Sequence, residues 1–98
     1  MPNKNYISGR AFEYKVMKEL RDMGFLVMRT AGSHGPFDIV AITDAGYVSL
    51  IQCKRVNDYN KVNALVNEFH KNLPLPRSEH YIQCLAVSVK GESGSLWF

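Results

Sequence analysis

Two apolar runs, Phe37-Asp38-Ile39-Val40-Ala41-Ile42-Thr43 and Tyr47-Val48-Ser49-Leu50-Ile51-Gln52-Cys53-Lys54, are separated by only three residues, Asp44-Ala45-Gly46. Runs rich in β-branched and aromatic residues read as strands, and the short polar link carries turn chemistry. With so short a connection the second run must fold back along the first, as a hairpin. If the three linking residues form the loop, Thr43 faces Tyr47. Counting outward then sets Asp38 directly opposite Gln52 on one face of the sheet. Lys54 shares that face, because strand side chains alternate. A one-residue shift in the turn would undo the arrangement.

The polar residues inside these runs are informative. Asp is poorly suited to a strand interior, and Gln52 and Lys54 flank Cys53 at the end of an otherwise apolar stretch. A fourth polar residue lies upstream. From about Gly9 to Met23, Phe12, Val16, Met17, Leu20 and Met23 recur at helical spacing, with Ser8 as N-cap and Gly24 as stop. Lys15, Lys18, Arg21 and Asp22 occupy the outward arc. Glu13 falls inside the apolar arc, between Phe12 and Met17. A carboxylate aimed at the core needs water at the boundary, an arginine, or a cation beside it.

The remaining pattern completes an α/β chain. Phe25 to Arg29 reads as a strand, followed by a loop from Thr30 to Pro36. After Asn57-Asp58, a second helix carries Val62, Leu65, Val66, Phe69 and Leu73 on one face and stops at Pro74 or just before it. His80 to Val89 is a strongly apolar strand, and Ser95-Leu96-Trp97-Phe98 a short last one, its aromatic tail reading as packing. The order helix, three strands, helix, one or two strands predicts a mixed central sheet flanked by helices. At 98 residues the chain has room for one domain, spanning 1–98.

Composition narrows the classes. With 46% hydrophobic residues a core is available, and no stretch approaches the roughly 20 apolar residues of a membrane span. The N-terminus leads into no apolar signal region, so a cytoplasmic protein is expected. Cys53 and Cys84 have neither zinc-site spacing nor disulfide density and read as reduced packing residues. The net charge of +3 leans towards a polyanion, and the cations Arg10, Lys15, Lys18, Arg21, Arg29, Lys54 and Arg55 crowd the region of the candidate site.

Phosphodiester hydrolysis explains this choice of residues. A divalent ion needs oxygen ligands: Glu13 and Asp38 offer carboxylates, Gln52 an amide oxygen, and the Cys53 backbone carbonyl a further donor. Such an ion activates water and offsets charge on the phosphate, while Lys54 stabilises the developing negative charge.

Glu13, Pro36-Phe37-Asp38 and Gln52-Cys53-Lys54 together resemble the PD-(D/E)xK nuclease superfamily. The segments Gly9-Arg10-Ala11-Phe12-Glu13, Gly24-Phe25, Arg29, Gly32-Ser33 and Asp38-Ile39-Val40-Ala41 resemble archaeal Holliday-junction resolvases. The resemblance implies a restriction-endonuclease-like core of order αβββαβ, with Glu13, Asp38, Gln52 and Lys54 as catalytic residues. It also implies Mg²⁺ as cofactor with Mn²⁺ as substitute, junction or other branched DNA as partner, and a homodimer, whose two-fold symmetry suits two matched cuts. DNA contacts are expected at Arg10, Arg29, Ser33, His34 and Arg55. Two departures stand out: position 52 is Gln where the resolvase pattern has Glu, and the chain is shorter than typical resolvases. The rival readings are a restriction-like, repair or phage DNA-degrading nuclease of the same superfamily, and a non-catalytic DNA-binding domain whose site has decayed. Lys61, Lys71, Arg77 and Lys90 read as solvated surface.

Overall fold

The hairpin predicted from the two apolar runs is present, and the sheet extends outward from it on both sides. The computed structural model describes residues 9–30 and 35–98. In chain order these form helix α1 (Gly9–Asp22), strands β1 (Leu26–Arg29), β2 (Ile39–Ile42) and β3 (Val48–Val56), a 3-10 turn (Tyr59–Lys61), helix α2 (Val62–Lys71), and strands β4 (Tyr81–Val89) and β5 (Ser95–Trp97). The strands lie in one sheet in sequence order. Neighbours run antiparallel except β3 and β4, which are parallel and joined through α2. That is the crossover a parallel pair requires.

Local chemistry explains the boundaries. α1 ends in a Schellman-type cap at Gly24, whose φ is 92°. The Phe25 amide donates to the Leu20 carbonyl at 3.1 Å and the Gly24 amide to the Arg21 carbonyl at 2.9 Å. The Ser8 cap expected at the other end lies outside the described residues. In the hairpin, Gly46 takes φ 87° and its amide donates to the Thr43 carbonyl at 2.9 Å. This is a three-residue loop with its αL residue last, and it gives the expected register: Thr43 bonds Tyr47, and Ile39 pairs with Ile51. The Asp58 carboxylate accepts the Asn60 amide at 2.8 Å and caps the 3-10 turn that leads into α2. α2 stops at Lys71, short of the residue preceding Pro74.

The sheet separates two cores. On one face, Phe12, Val16, Met17 and Leu20 of α1 pack on Val27, Ile39, Ala41, Ile51 and Ala86, with Cys53 and Cys84 at the margin. On the other, Val62 and Phe69 of α2 pack on Phe37, Leu85, Val87 and Val89. β4 is therefore buried continuously from Leu85 to Val89, as expected of a strand covered on both faces. Both cysteines are free and half-buried rather than fully enclosed. Trp97 and Phe98 are each 40% exposed, so the tail packs with one side only. Among the described residues no helix is long and apolar enough to cross a membrane.

Candidate active site

The site is built where β2 and β3 part. Their last ladder pair is Ile39 with Ile51. One residue upstream, the Asp38 amide donates to the Ile51 carbonyl at 2.8 Å, and the Cys53 amide donates to Asp38 Oδ2 at 2.8 Å. Asp38 is thus not the cross-strand partner of Gln52 that counting from the turn predicts. Its carboxylate instead supplies the acceptor that β3 lacks once β2 has turned away. Side-chain alternation breaks at the same point. Phe37 belongs to the α2-side core and Ile39 to the α1-side core, although they stand two residues apart.

Two of the expected residues follow the α2 side. Gln52 pairs with Leu85 and Lys54 with Val87, both in the α2-side core, so alternation puts Gln52 and Lys54 on that face. Lys54 is exposed and Gln52 half-buried, and neither side chain hydrogen-bonds to a described residue.

Glu13 approaches from the other side. Its position on the inner arc of α1 leaves its side chain 18% exposed, and Arg29 at the end of β1 is 21% exposed. Arg29 Nη1 donates to Glu13 Oε1 at 3.2 Å, so the arginine is the partner this half-buried carboxylate requires. The same guanidinium lies over the Tyr14 ring, 5.5 Å from its centroid. Both carboxylates surround one thiol. Burial, then the negative charge of Asp38, then that of Glu13 push the Cys53 pKa up to about 12. The four expected residues therefore flank Cys53 from the two faces of the sheet end, rather than sharing one face.

The remaining candidates are spread around this end. Arg10 is exposed on the first turn of α1, and Arg55 is half-buried on β3 next to Lys54. Ser33 and His34 lie outside the described residues. Lys61, Lys71, Arg77 and Lys90 are exposed, as expected.

Sequence reasoning missed two residues here. Thr30 ties the end of β1 to the start of β2: its hydroxyl donates to the Phe37 carbonyl at 2.7 Å and its amide to the Asp38 carbonyl at 3.0 Å. A lone threonine at a strand end gives no signal for that. Tyr14 is the other. An aromatic on the polar arc of α1, next to the carboxylate on its inner arc, was a readable signal.

The match to a family model, with the fold beside it, defines a structure-selective nuclease of the PD-(D/E)xK superfamily. The chain belongs to the archaeal Holliday junction resolvase (Hjc) family, whose model matches residues 4–74. Among solved structures it is similar to Archaeoglobus fulgidus Hjc, a Holliday junction resolvase from an archaeal hyperthermophile. The two are 23% identical, with a TM-score of 0.61, over 92% of this chain and 70% of that one. At that identity the likeness concerns the fold. No curated protein matches the chain.

Proposed function

We propose that the chain is a divalent-metal-dependent endonuclease that cuts branched DNA, four-way junctions foremost, with Glu13, Asp38, Gln52 and Lys54 as its catalytic residues. The observation that carries this reading is the Asp38 carboxylate, fastened to the Cys53 amide at the parting of β2 and β3, one residue from both Gln52 and Lys54 in the β3 sequence.

The donor set fits a hard cation. Among the described residues no group of three His, Cys, Asp or Glu side chains could hold a metal, so two carboxylates need neutral oxygens beside them. Within an extended strand the N–H and C=O of one residue point to the same edge, so the Cys53 carbonyl faces the edge where its amide meets Asp38. Asp38, the Cys53 carbonyl and Glu13 would hold Mg²⁺, or Mn²⁺ in its place; Gln52, on the α2-side face, would add its amide oxygen only by reaching round the end of the sheet, as the neutral substitute for a third carboxylate. A cation bound there supplies Lewis acidity to the phosphate and lowers the pKa of water.

The chain's own groups do the rest. Lys54, held on a rigid strand and free of hydrogen bonds to described residues, donates to the attacking water or to the phosphate oxygen that gains charge. Arg29 offsets the charge of Glu13, and Arg10 and Arg55 would contact the phosphate backbone. No base-reading motif is present, which suits recognition by shape and phosphates. A homodimer would present two such sites for two matched cuts.

The test is cleavage of labelled duplex, single-stranded and four-way-junction DNA with Mg²⁺, Mn²⁺ or EDTA. Paired, symmetric cuts confined to the junction and dependent on the metal are expected. Lys54→Ala should slow them by about 10²- to 10³-fold, and Asp38→Asn should abolish them while leaving junction binding largely intact. Cuts in all three substrates would assign a general nuclease of the same fold. Binding without cleavage under either metal would mean that the neutral Gln52 marks a site that no longer performs chemistry.

A further inference from the structure

Glu13 and Tyr14 are consecutive on α1, yet they play opposite parts. Glu13 turns inward with 18% of its side chain exposed, whereas Tyr14 is 51% exposed. One guanidinium joins them. Arg29 donates through Nη1 to Glu13 Oε1 at 3.2 Å and lies over the Tyr14 ring at 5.5 Å. A cation held over an aromatic ring loses freedom to swing away, and its Nη1 is the atom that meets Glu13. An arginine at the end of a four-residue strand has many rotamers, and contact with the ring favours those that keep the guanidinium over it.

We infer that Tyr14 is a positioning residue: its ring holds the Arg29 guanidinium against Glu13, so that the carboxylate is already oriented for a divalent cation. The inference rests on the metal reading of the site given above. Arg29 occupies Oε1, and Oε2 has no hydrogen-bond partner among the described residues. The pair thus orients the carboxylate without using both of its oxygens. Groups that orient a ligand from behind typically govern metal affinity by about ten- to a hundredfold, and Tyr14 acts one layer further out. Replacing it by Leu should weaken Mn²⁺ binding by about three- to tenfold.

Two measurements on the full chain test this. The first is Mn²⁺ binding by calorimetry for the wild type, Tyr14→Phe and Tyr14→Leu. Phe keeps the ring and should match the wild type; Leu keeps apolar bulk and should not. The second is the Arg29 Nε–H signal by NMR, assigned through its loss in Arg29→Lys. Ring current should displace it upfield in the wild type and Tyr14→Phe, and the displacement should vanish in Tyr14→Leu. Thermal melting should agree among the three, which separates positioning from packing. Equal Mn²⁺ affinity in Tyr14→Leu, or an undisplaced Arg29 signal in the wild type, would overturn the inference and leave the nuclease reading standing. A wild type that binds no Mn²⁺ would overturn the metal reading and this inference with it. Weaker junction binding by Tyr14→Leu in EDTA, with Mn²⁺ affinity and the Arg29 signal unchanged, would make Tyr14 a DNA contact instead.

Discussion

Cys53 touches the chemistry of the site without being one of its reacting groups. Its thiol is pushed from 9.0 to about 12, first by burial, then by Asp38, then by Glu13. The unfolded chain releases this proton near its ordinary value, while the folded chain keeps it until about pH 12. Between those values the unfolded state binds fewer protons, so stability falls as pH rises. Burial raises Cys84 too, with the same sign. The urea midpoint should therefore drop between about pH 8 and about pH 10.5, and drop less in Cys53→Ala. Equal drops would mean that Cys53 does not carry the effect. At this scale the candidate residues were legible as interruptions of a pattern. Glu13, Asp38 and Lys54 stood out because each interrupts an apolar pattern whose period is fixed by the backbone. The bond from Asp38 to the Cys53 amide was not legible, since a side chain bonding to backbone across a strand break leaves no periodic trace.

The elements themselves were legible where turn chemistry is strong and drifted where tertiary pairing decides. The β2–β3 register followed from Asp44-Ala45-Gly46 alone. β2 is shorter than its apolar run because the chain breaks step at Asp38. β3 runs two residues past Lys54, to Val56, because its parallel partner β4 continues to Val89. Neither partner is visible in a local pattern. Gly46 gives this scale its prediction. At φ 87° its backbone disfavours any side chain, although nothing lies within 4 Å of an added Cβ. Gly46→Ala should cost about 1 kcal/mol in urea unfolding. The turn lies at the opposite end of the hairpin from Asp38 and Gln52, so cleavage per folded molecule should stay unchanged. A parallel loss of activity would place the turn in the working part of the protein.

For the molecule as a whole, the mixed sheet was predictable from a helix separating two apolar strands, a spacing that permits a parallel pair. The distribution of the site over both faces of the sheet end was not. Alternation assumed from an ideal hairpin puts Asp38, Gln52 and Lys54 on one face, and one break in step separates them. The cations around that end set the last prediction. A chain of net charge +3 that grips phosphates should lose junction affinity as salt rises. If Arg10 meets one phosphate, Arg10→Ala should make the log–log slope of affinity against salt shallower by about 1. An unchanged slope would remove Arg10 from the interface.

The double duty proposed for Asp38 bears on how such a protein could change over generations. Its carboxylate holds the Cys53 amide where β2 has left β3, so losing it exposes a backbone group as well as a reactive site. Lys54 is exposed and carries no such structural task. A lineage released from cutting DNA would shed the lysine first and keep the aspartate for folding. If the proposed roles hold, the lysine rather than the aspartate would be the mark of surviving activity among descendants.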